Sequence, residues 1–401
     1  MRSALDNLAA RVDLQAVLFC GGEEKLAPDV LARPEGHYGR AVTIAPDRAE
    51  ALRGLARDAQ LVVDLADEPV LDAAGKLELA AVALDMGLRY QGADFVLDPP
   101  PLAEVPFSGP QLAVIGTGKR TGKTAVGVHW ASLLREHGAR PVVVAMGRGG
   151  PDRPTLAAPP VGLDDLLAIS RSGSHAASDY LEHAVLAKVP AVGSRRVGGG
   201  LAGACVESNV EEGGALAVSL DPGAILYEGS GAALPPVAVD RTVCVIGSRE
   251  GALSHLGPFR LLRADLAVVT ADDPALAADA ARWCRGPVIP VALEPEPVDE
   301  VPAGSRVAFF TTGPGLPTGV EPVVVSRHLA SRPRLAEDLE AARAERCDVY
   351  LTELKAAAVD TVAEAAARAG ARLVFVRNRP RELPGEPDLD AALLALLEGA
   401  A

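Results

Sequence analysis

The chain has 401 residues, enough for two or three domains rather than a single core. With 49% apolar residues it can bury a sizeable interior, which excludes general disorder. Its 39 basic and 53 acidic residues leave a net charge of −14, so a nucleic acid is a poor partner, although local basic clusters can still hold a small phosphorylated metabolite.

Five scattered cysteines without CxxC or Cys/His spacing argue against a zinc site or a disulfide framework, and a reducing cytoplasm fits. No stretch of about 18 apolar residues supports a membrane span. Residues 1–12 read as a short amphipathic helix rather than a signal peptide. From there to residue 97, apolar runs at 16–20, 41–44 and 61–65 alternate with helical patterns at 28–31, 48–59 and 72–86. That alternation predicts a small parallel α/β domain over residues 1–100. Charged groups follow two of its strands, from Gly21 to Lys25 and at Asp64, Asp67 and Glu68; they are either solvated turns or ligand groups. Residues 101–110, rich in proline and without apolar periodicity, read as a stiff linker.

The stretch that organises the remainder, residues 111–401, is Gly116-Thr117-Gly118-Lys119-Arg120-Thr121-Gly122-Lys123-Thr124-Ala125. An apolar strand at 112–115 precedes it and an amphipathic helix at 123–137 follows, so the expected fold class is α/β: a P-loop NTPase parallel sheet with helices on both faces. Glycines let successive backbone N–H groups turn inward on an anion, and the helix adds the positive end of its dipole. Lys123 is expected to reach the β- and γ-phosphates of ATP, and Thr124 to offer its hydroxyl to Mg²⁺. Thr117 stands where the common Walker pattern has its first glycine. The spelling G-T-x-x-x-x-G-K-T instead resembles the loop of dethiobiotin synthetase and its relatives, P-loop enzymes that phosphorylate small metabolites.

Beyond the loop, a strand at 141–146 runs into Gly147-Arg148-Gly149-Gly150, where an arginine framed by glycines suits either an anion or a surface turn. The cluster Ser174, His175, Ser178 and Asp179 is too local, and lacks a nucleophile elbow, to be a hydrolase triad; capping by Ser178 or Asp179 leaves His175 free to meet phosphate. Arg195-Arg196 beside Gly198-Gly199-Gly200 stands out as an anion site in an acidic chain. A strand at 224–227 ends in Glu228-Gly229-Ser230-Gly231, which makes Glu228 the expected acidic partner of the metal's water shell. Further strands are expected at 242–246 and 266–270. After a second proline- and acid-rich break at 294–305, a possible sub-boundary, the sheet continues with strands at 307–311, 323–326, 349–351 and 373–376 and helices at 335–346, 356–369 and 389–397. Glu353 and Lys355 sit at one strand's end facing the expected substrate. Asn378 follows the last strand, the place from which related P-loop folds read adenine.

Taken together, Gly116–Ala125, Ala145–Pro151, His175–Asp179, Arg195–Gly200, Glu228–Ala233, Gly257–Arg260 and Thr352–Ala358 resemble the cyclic 2,3-diphosphoglycerate synthetase family over nearly the whole chain. The resemblance implies ATP-dependent closure of 2,3-diphosphoglycerate into a cyclic pyrophosphate with release of ADP and phosphate, by cytoplasmic, Mg²⁺-dependent, homodimeric enzymes. Two departures are visible. Family members begin with an extra strand bearing an Asp-Gly-Glu-His-Tyr segment, and their arginine pair is flanked by cysteines where this chain has Ser194 and Val197. Joining two phosphates gathers negative charge, so Lys119, Arg148, Arg195, Arg196 and Lys355 are expected to cage the substrate with Gly149, Gly199, Ser178 and Asp179 beside them. His175 is expected to donate to a substrate oxygen. Two other functions remain open at this point: a kinase making the linear bisphosphate from 2-phosphoglycerate, and a P-loop ATPase switch, which normally carries a signature lysine where this chain has Gly118.

Overall fold

In the computed structural model, which describes residues 1–400, the chain forms two compact units. The first comprises residues 1–100 together with 250–263, a segment that the sequence reading placed in the 111–401 domain. Strand β1 (Leu18–Phe19) pairs in parallel with β2 (Thr43–Ile44); β3 (Leu61–Val63) pairs in parallel with β4 (Arg89–Gln91), which also carries the antiparallel β5 (Val96–Leu97). The small parallel α/β unit is therefore present, but its sheet is in two pieces. A cavity of about 630 Å³ is lined by residues of both β1 and β3, with Leu5, Leu52 and Tyr90. The helix Ala73–Asp85 is capped by Asp72, whose carboxylate accepts from Gly75 N at 2.8 Å, and it buries Leu79 through Leu84. On it packs the helix Gly257–Leu262, which brings the fully buried Phe259 and Leu261 into this unit. Asp64, one of the charged groups after a strand, is occupied internally: it accepts from Lys76 Nζ and from Ala66 N at 2.6 and 2.8 Å.

The second unit, residues 101–249 and 264 onward, is built on a single 13-stranded sheet. Its strands are β6 (Gln111–Gly116), β7 (Pro141–Gly147), β8 (Thr155–Ala157), β9 (Ala191–Val197), β10 (Glu207–Ser208), β11 (Ala224–Glu228) and β12 (Arg241–Ile246). They continue with β13 (Leu266–Val269), β14 (Val288–Pro297), β15 (Val307–Phe310), β16 (Val324–Ser326), β17 (Val349–Glu353) and β18 (Arg372–Glu382). The order is β10-β9-β7-β11-β6-β12-β13-β14-β18-β17-β15-β16, with β8 beside β9. Pairing is parallel from β9 to β14 and from β18 to β16; the two halves are joined by the antiparallel ladder of β14 and β18, in register from Val291↔Glu382 to Pro297↔Val376. Every residue of β6 is buried, as a central parallel strand covered on both faces requires. The helix Lys123–Glu136 returns across the sheet with Val126, Trp130 and Leu134 fully buried against it.

Several expectations change here. Residues 101–110, expected as a stiff linker, do begin at the division between the two units, but they are fixed within the second: Ala103 bridges in parallel to Val237, Ala103 N donates to Pro236 O at 2.9 Å, and Val105 is buried, its carbonyl accepting from Gln111. The break expected at 294–305 is, over Glu294–Pro297, ordinary strand. Its prolines are tolerated because pairing with β13 ends at Pro290, so the later ring nitrogens fall where that neighbour asks for no donor. Asn378, Arg379 and Pro380 lie within β18 rather than after it. The stretch expected to be a helix over 356–369 is a π-helical turn, Ala358–Ala363, running into the α-helix Glu364–Ala369.

Candidate active site

Between β6 and the helix Lys123–Glu136, residues Thr117 to Gly122 close a tight loop at the C-terminal end of the sheet's central strand, where open parallel sheets bind ligands. Gly122 turns the chain into the helix with φ +86°, and Arg120 is also left-handed at +58°. Gly116 is required by contact rather than by its backbone angle: a Cβ there would stand 2.7 Å from the Lys123 Cδ, so only glycine lets the lysine stem pass back over the loop. Lys123 Nζ donates to Gly118 O at 3.0 Å, bringing the ammonium to the centre of the cradle. Burial pushes its pKa below the usual ammonium range, against the pull of Glu228 and Asp179. The hydroxyls of Thr117 and Thr121 are buried there without partners, polar atoms that a phosphate would satisfy. Replacing Gly116 by alanine is therefore expected to displace Lys123 and weaken nucleotide binding by about tenfold or more, which isothermal titration with ATP measures.

At the foot of the helix, the Thr124 hydroxyl donates to Glu228 Oε1 at 2.7 Å, so the two residues expected to serve a metal are brought together from β11 and the loop helix. The other oxygen of Glu228 accepts from His183 Nε2 at 2.6 Å. Burial alone would raise the pKa of Glu228; the bonds from His183 and Thr124 and the charge of Lys123 outweigh it and hold the carboxyl below its ordinary range. The hydroxyl and carboxylate are hard oxygen donors of the kind Mg²⁺ takes.

A cavity of about 590 Å³ opens beside the loop, lined by Gly118, Lys119, Arg148, Arg196, Gly199 and Gly231 among others. It gathers Lys119, Arg148, Arg196 and Gly199 as the sequence suggested. The paired arginines, however, part company. Both lie in β9, where successive side chains point to opposite faces. Arg196 is buried and held by the carbonyls of Gly198 and Ser230 at 2.5 and 3.0 Å, acceptors that orient its charge without neutralising it; its Nε is buried without a partner. Arg195 faces away and pairs with Asp152 and with Glu207 at 3.1 Å. Gly149 is exposed after β7, and His175 is exposed on the loop ahead of the helix Asp179–Glu182; neither lines the cavity. Ser178 stands at that helix's N-cap position but makes no side-chain capping bond.

Lys355 belongs to a second polar cluster. It lies 3.3 Å from Glu353, whose carboxylate also accepts from Asn378 Nδ2 at 2.6 Å and from Thr312 N and Oγ1 at 2.8 and 2.9 Å. Burial opposes the charge on Glu353, but Lys355 and these bonds keep it below the usual carboxylate range. Asn378 thus has its amide on Glu353. Asp179, raised to about 6 by burial and by Glu228, and Glu182, pushed up to about 8 by burial, complete a group of carboxylates around Lys123 and Lys355. Because the fold holds the Glu182 proton more tightly than the unfolded chain does, its contribution to stability is full below its ordinary 4.5 and is lost as pH rises through about 8. Glu182→Gln should flatten that slope: little change in thermal stability at pH 5, and at pH 8.5 a variant more stable than the parent by on the order of a few kcal/mol.

His183 and Glu182 were missed by the sequence reading. A histidine among Leu181, Ala184, Val185 and Leu186 carries the signal of a core residue, and nothing local announces its partner 45 positions away.

Strand, glycine loop and helix, with Lys123 and Thr124 at the turn and an acidic side chain from the neighbouring strand, define a P-loop nucleotide-binding protein. Three family models match the chain: cyclic 2,3-diphosphoglycerate synthetase, N-terminal domain, at residues 1–98; its P-loop domain at 111–282; and its C-terminal domain at 297–379. Among curated relatives, the cyclic 2,3-diphosphoglycerate synthetase of Rubrobacter xylanophilus is 43% identical, covering 100% of this chain and 93% of its own length. Those of Methanothermus fervidus and Thermococcus kodakarensis are 35% and 36% identical, over 99% and 96% of this chain and 93% of each relative. The chain belongs to the cyclic 2,3-diphosphoglycerate synthetase family, and is an enzyme of the synthetase class. Among the described residues, no helix is long and apolar enough to cross a membrane.

Proposed function

We propose that the protein closes 2,3-diphosphoglycerate into its cyclic pyrophosphate, consuming ATP and releasing ADP and phosphate. The observation that carries this reading is the meeting of two anion sites at one place: a phosphate cradle centred on Lys123, and beside it a cavity where Lys119, Arg148 and the unneutralised Arg196 converge. One phosphate oxygen of the substrate attacks the γ-phosphorus of ATP; the β–γ bridge breaks and ADP leaves. An oxygen of the neighbouring substrate phosphate then attacks the activated phosphorus, forming the P–O–P ring bond and expelling inorganic phosphate. Both steps need alignment and cancelled charge more than a strong base. Lys123 holds the transferred group, and Arg196, Arg148 and Lys119 offset the repulsion between the two substrate phosphates. Thr124 and Glu228 would hold Mg²⁺, which when bound supplies further charge neutralisation.

ADP release measured with Mg²⁺-ATP tests the reading. The expected result is strong stimulation by 2,3-diphosphoglycerate and little by 2-phosphoglycerate. Stimulation by 2-phosphoglycerate alone would instead identify a kinase, and hydrolysis indifferent to both would leave an ATPase switch.

A further inference from the structure

His183 has no part in the steps above, yet the fold goes to some length to place it. The helix Asp179–Glu182 continues as a π-helical turn, His183–Ala187, a wider and weaker geometry that recurs at functional sites because it redirects the side chains that follow. Through it the fully buried His183 ring reaches across to Glu228 Oε2 at 2.6 Å. Opposite stands Gly127, in the interior of the helix Lys123–Glu136, where glycine is less favourable than alanine. A Cβ at Gly127 would lie 3.1 Å from His183 Cε1 and 3.4 Å from Nε2, so the glycine makes room for the ring. Two independent features, one in each helix, therefore serve a single contact.

Glu228 is tethered at both oxygens, by Thr124 and by His183. A threonine hydroxyl that binds a cation through an oxygen lone pair keeps its proton for Oε1, so it holds that oxygen alone. The imidazole is the tether on Oε2, which Thr124 does not hold. We propose that His183 is a positioning residue that fixes the Glu228 carboxylate towards the cation site, an inference resting on the reading that Thr124 and Glu228 serve a Mg²⁺-bound nucleotide. Without it Glu228 would be left as a buried carboxylate short of a donor and free to rotate.

The test is equilibrium binding of a fluorescent ADP analogue with and without magnesium chloride, for the parent, His183→Ala, His183→Gln and Gly127→Ala, each checked by thermal melting. Glutamine keeps an N–H donor at about the reach of Nε2. Metal-free affinity should stay within about twofold in every variant, whereas the tightening by Mg²⁺ should fall about tenfold in His183→Ala, be largely restored in His183→Gln, and fall partially in Gly127→Ala. A His183→Ala protein that melts earlier but keeps the parent's Mg²⁺ dependence would overturn the proposal, since it would show a purely structural role. Should that variant fail to fold, Gly127→Ala decides, and an unchanged Mg²⁺ effect there counts against it. If Mg²⁺ leaves nucleotide binding by the parent unaltered, the assignment of Thr124 and Glu228 fails, and the positioning role falls with it.

Discussion

Replacing Lys123 by alanine is expected to lower turnover by about 10³-fold, the scale on which a single preorganised charge at a reacting oxygen acts. Nucleotide affinity should fall roughly 10- to 100-fold, the worth of one charge-assisted hydrogen bond. The protein should remain folded. Lys123 gives up one hydrogen bond to Gly118 O, and burial already works against its charge, so its removal relieves a cost as well as losing a contact. Stopped assays of ADP formation and calorimetric titration of ATP separate the two effects. Parent-like turnover in a folded variant would contradict the role of the cradle.

The second large effect separates two neighbouring residues. Arg196→Ala should reduce turnover per unit of substrate by about 10²-fold, because the buried guanidinium faces the cavity with its charge uncancelled. Arg195→Ala should stay within about threefold, since Arg195 is committed to Asp152 and Glu207 in partly exposed pairs worth about 0.2–1 kcal/mol. Steady-state kinetics in 2,3-diphosphoglycerate reads both. Equal losses at the two positions would mean that the alternation of β9 does not hold where substrate binds.

That pair shows where the sequence was legible and where it was not. Arginines next to glycines announced an anion site, but nothing in the spelling revealed that Ala191–Val197 is a strand, and it is the strand's period of two that sends one arginine inward and the other out. The loop itself was legible because its chemistry is local: strand, glycines, Lys123 and Thr124 occupy one continuous stretch, and the helix follows as its pattern predicted. Glu228 was legible for a similar reason, as the acidic end of a buried strand. Its clamp by His183 was not, because that contact is made only when β11, the loop helix and the π-helical turn come together. Proline was legible only in part, since the C-terminal family model begins at residue 297, within the segment expected as a sub-boundary. Pro295 and Pro297 read as a break, yet β14 runs through them, tolerated where no further pairing with β13 is needed. The role given to Asn378 depended on a strand ending before it; β18 continues to Glu382, and the amide lies on Glu353.

Phosphorus NMR of the protein incubated with Mg²⁺-ATP and 2,3-diphosphoglycerate tests the central claim most directly. The account predicts that the two phosphomonoester resonances of the substrate give way to those of a cyclic pyrophosphate, while ADP and inorganic phosphate appear in equal amounts. Substrate resonances that persist unchanged while ATP is consumed, or that never change at all, would contradict it.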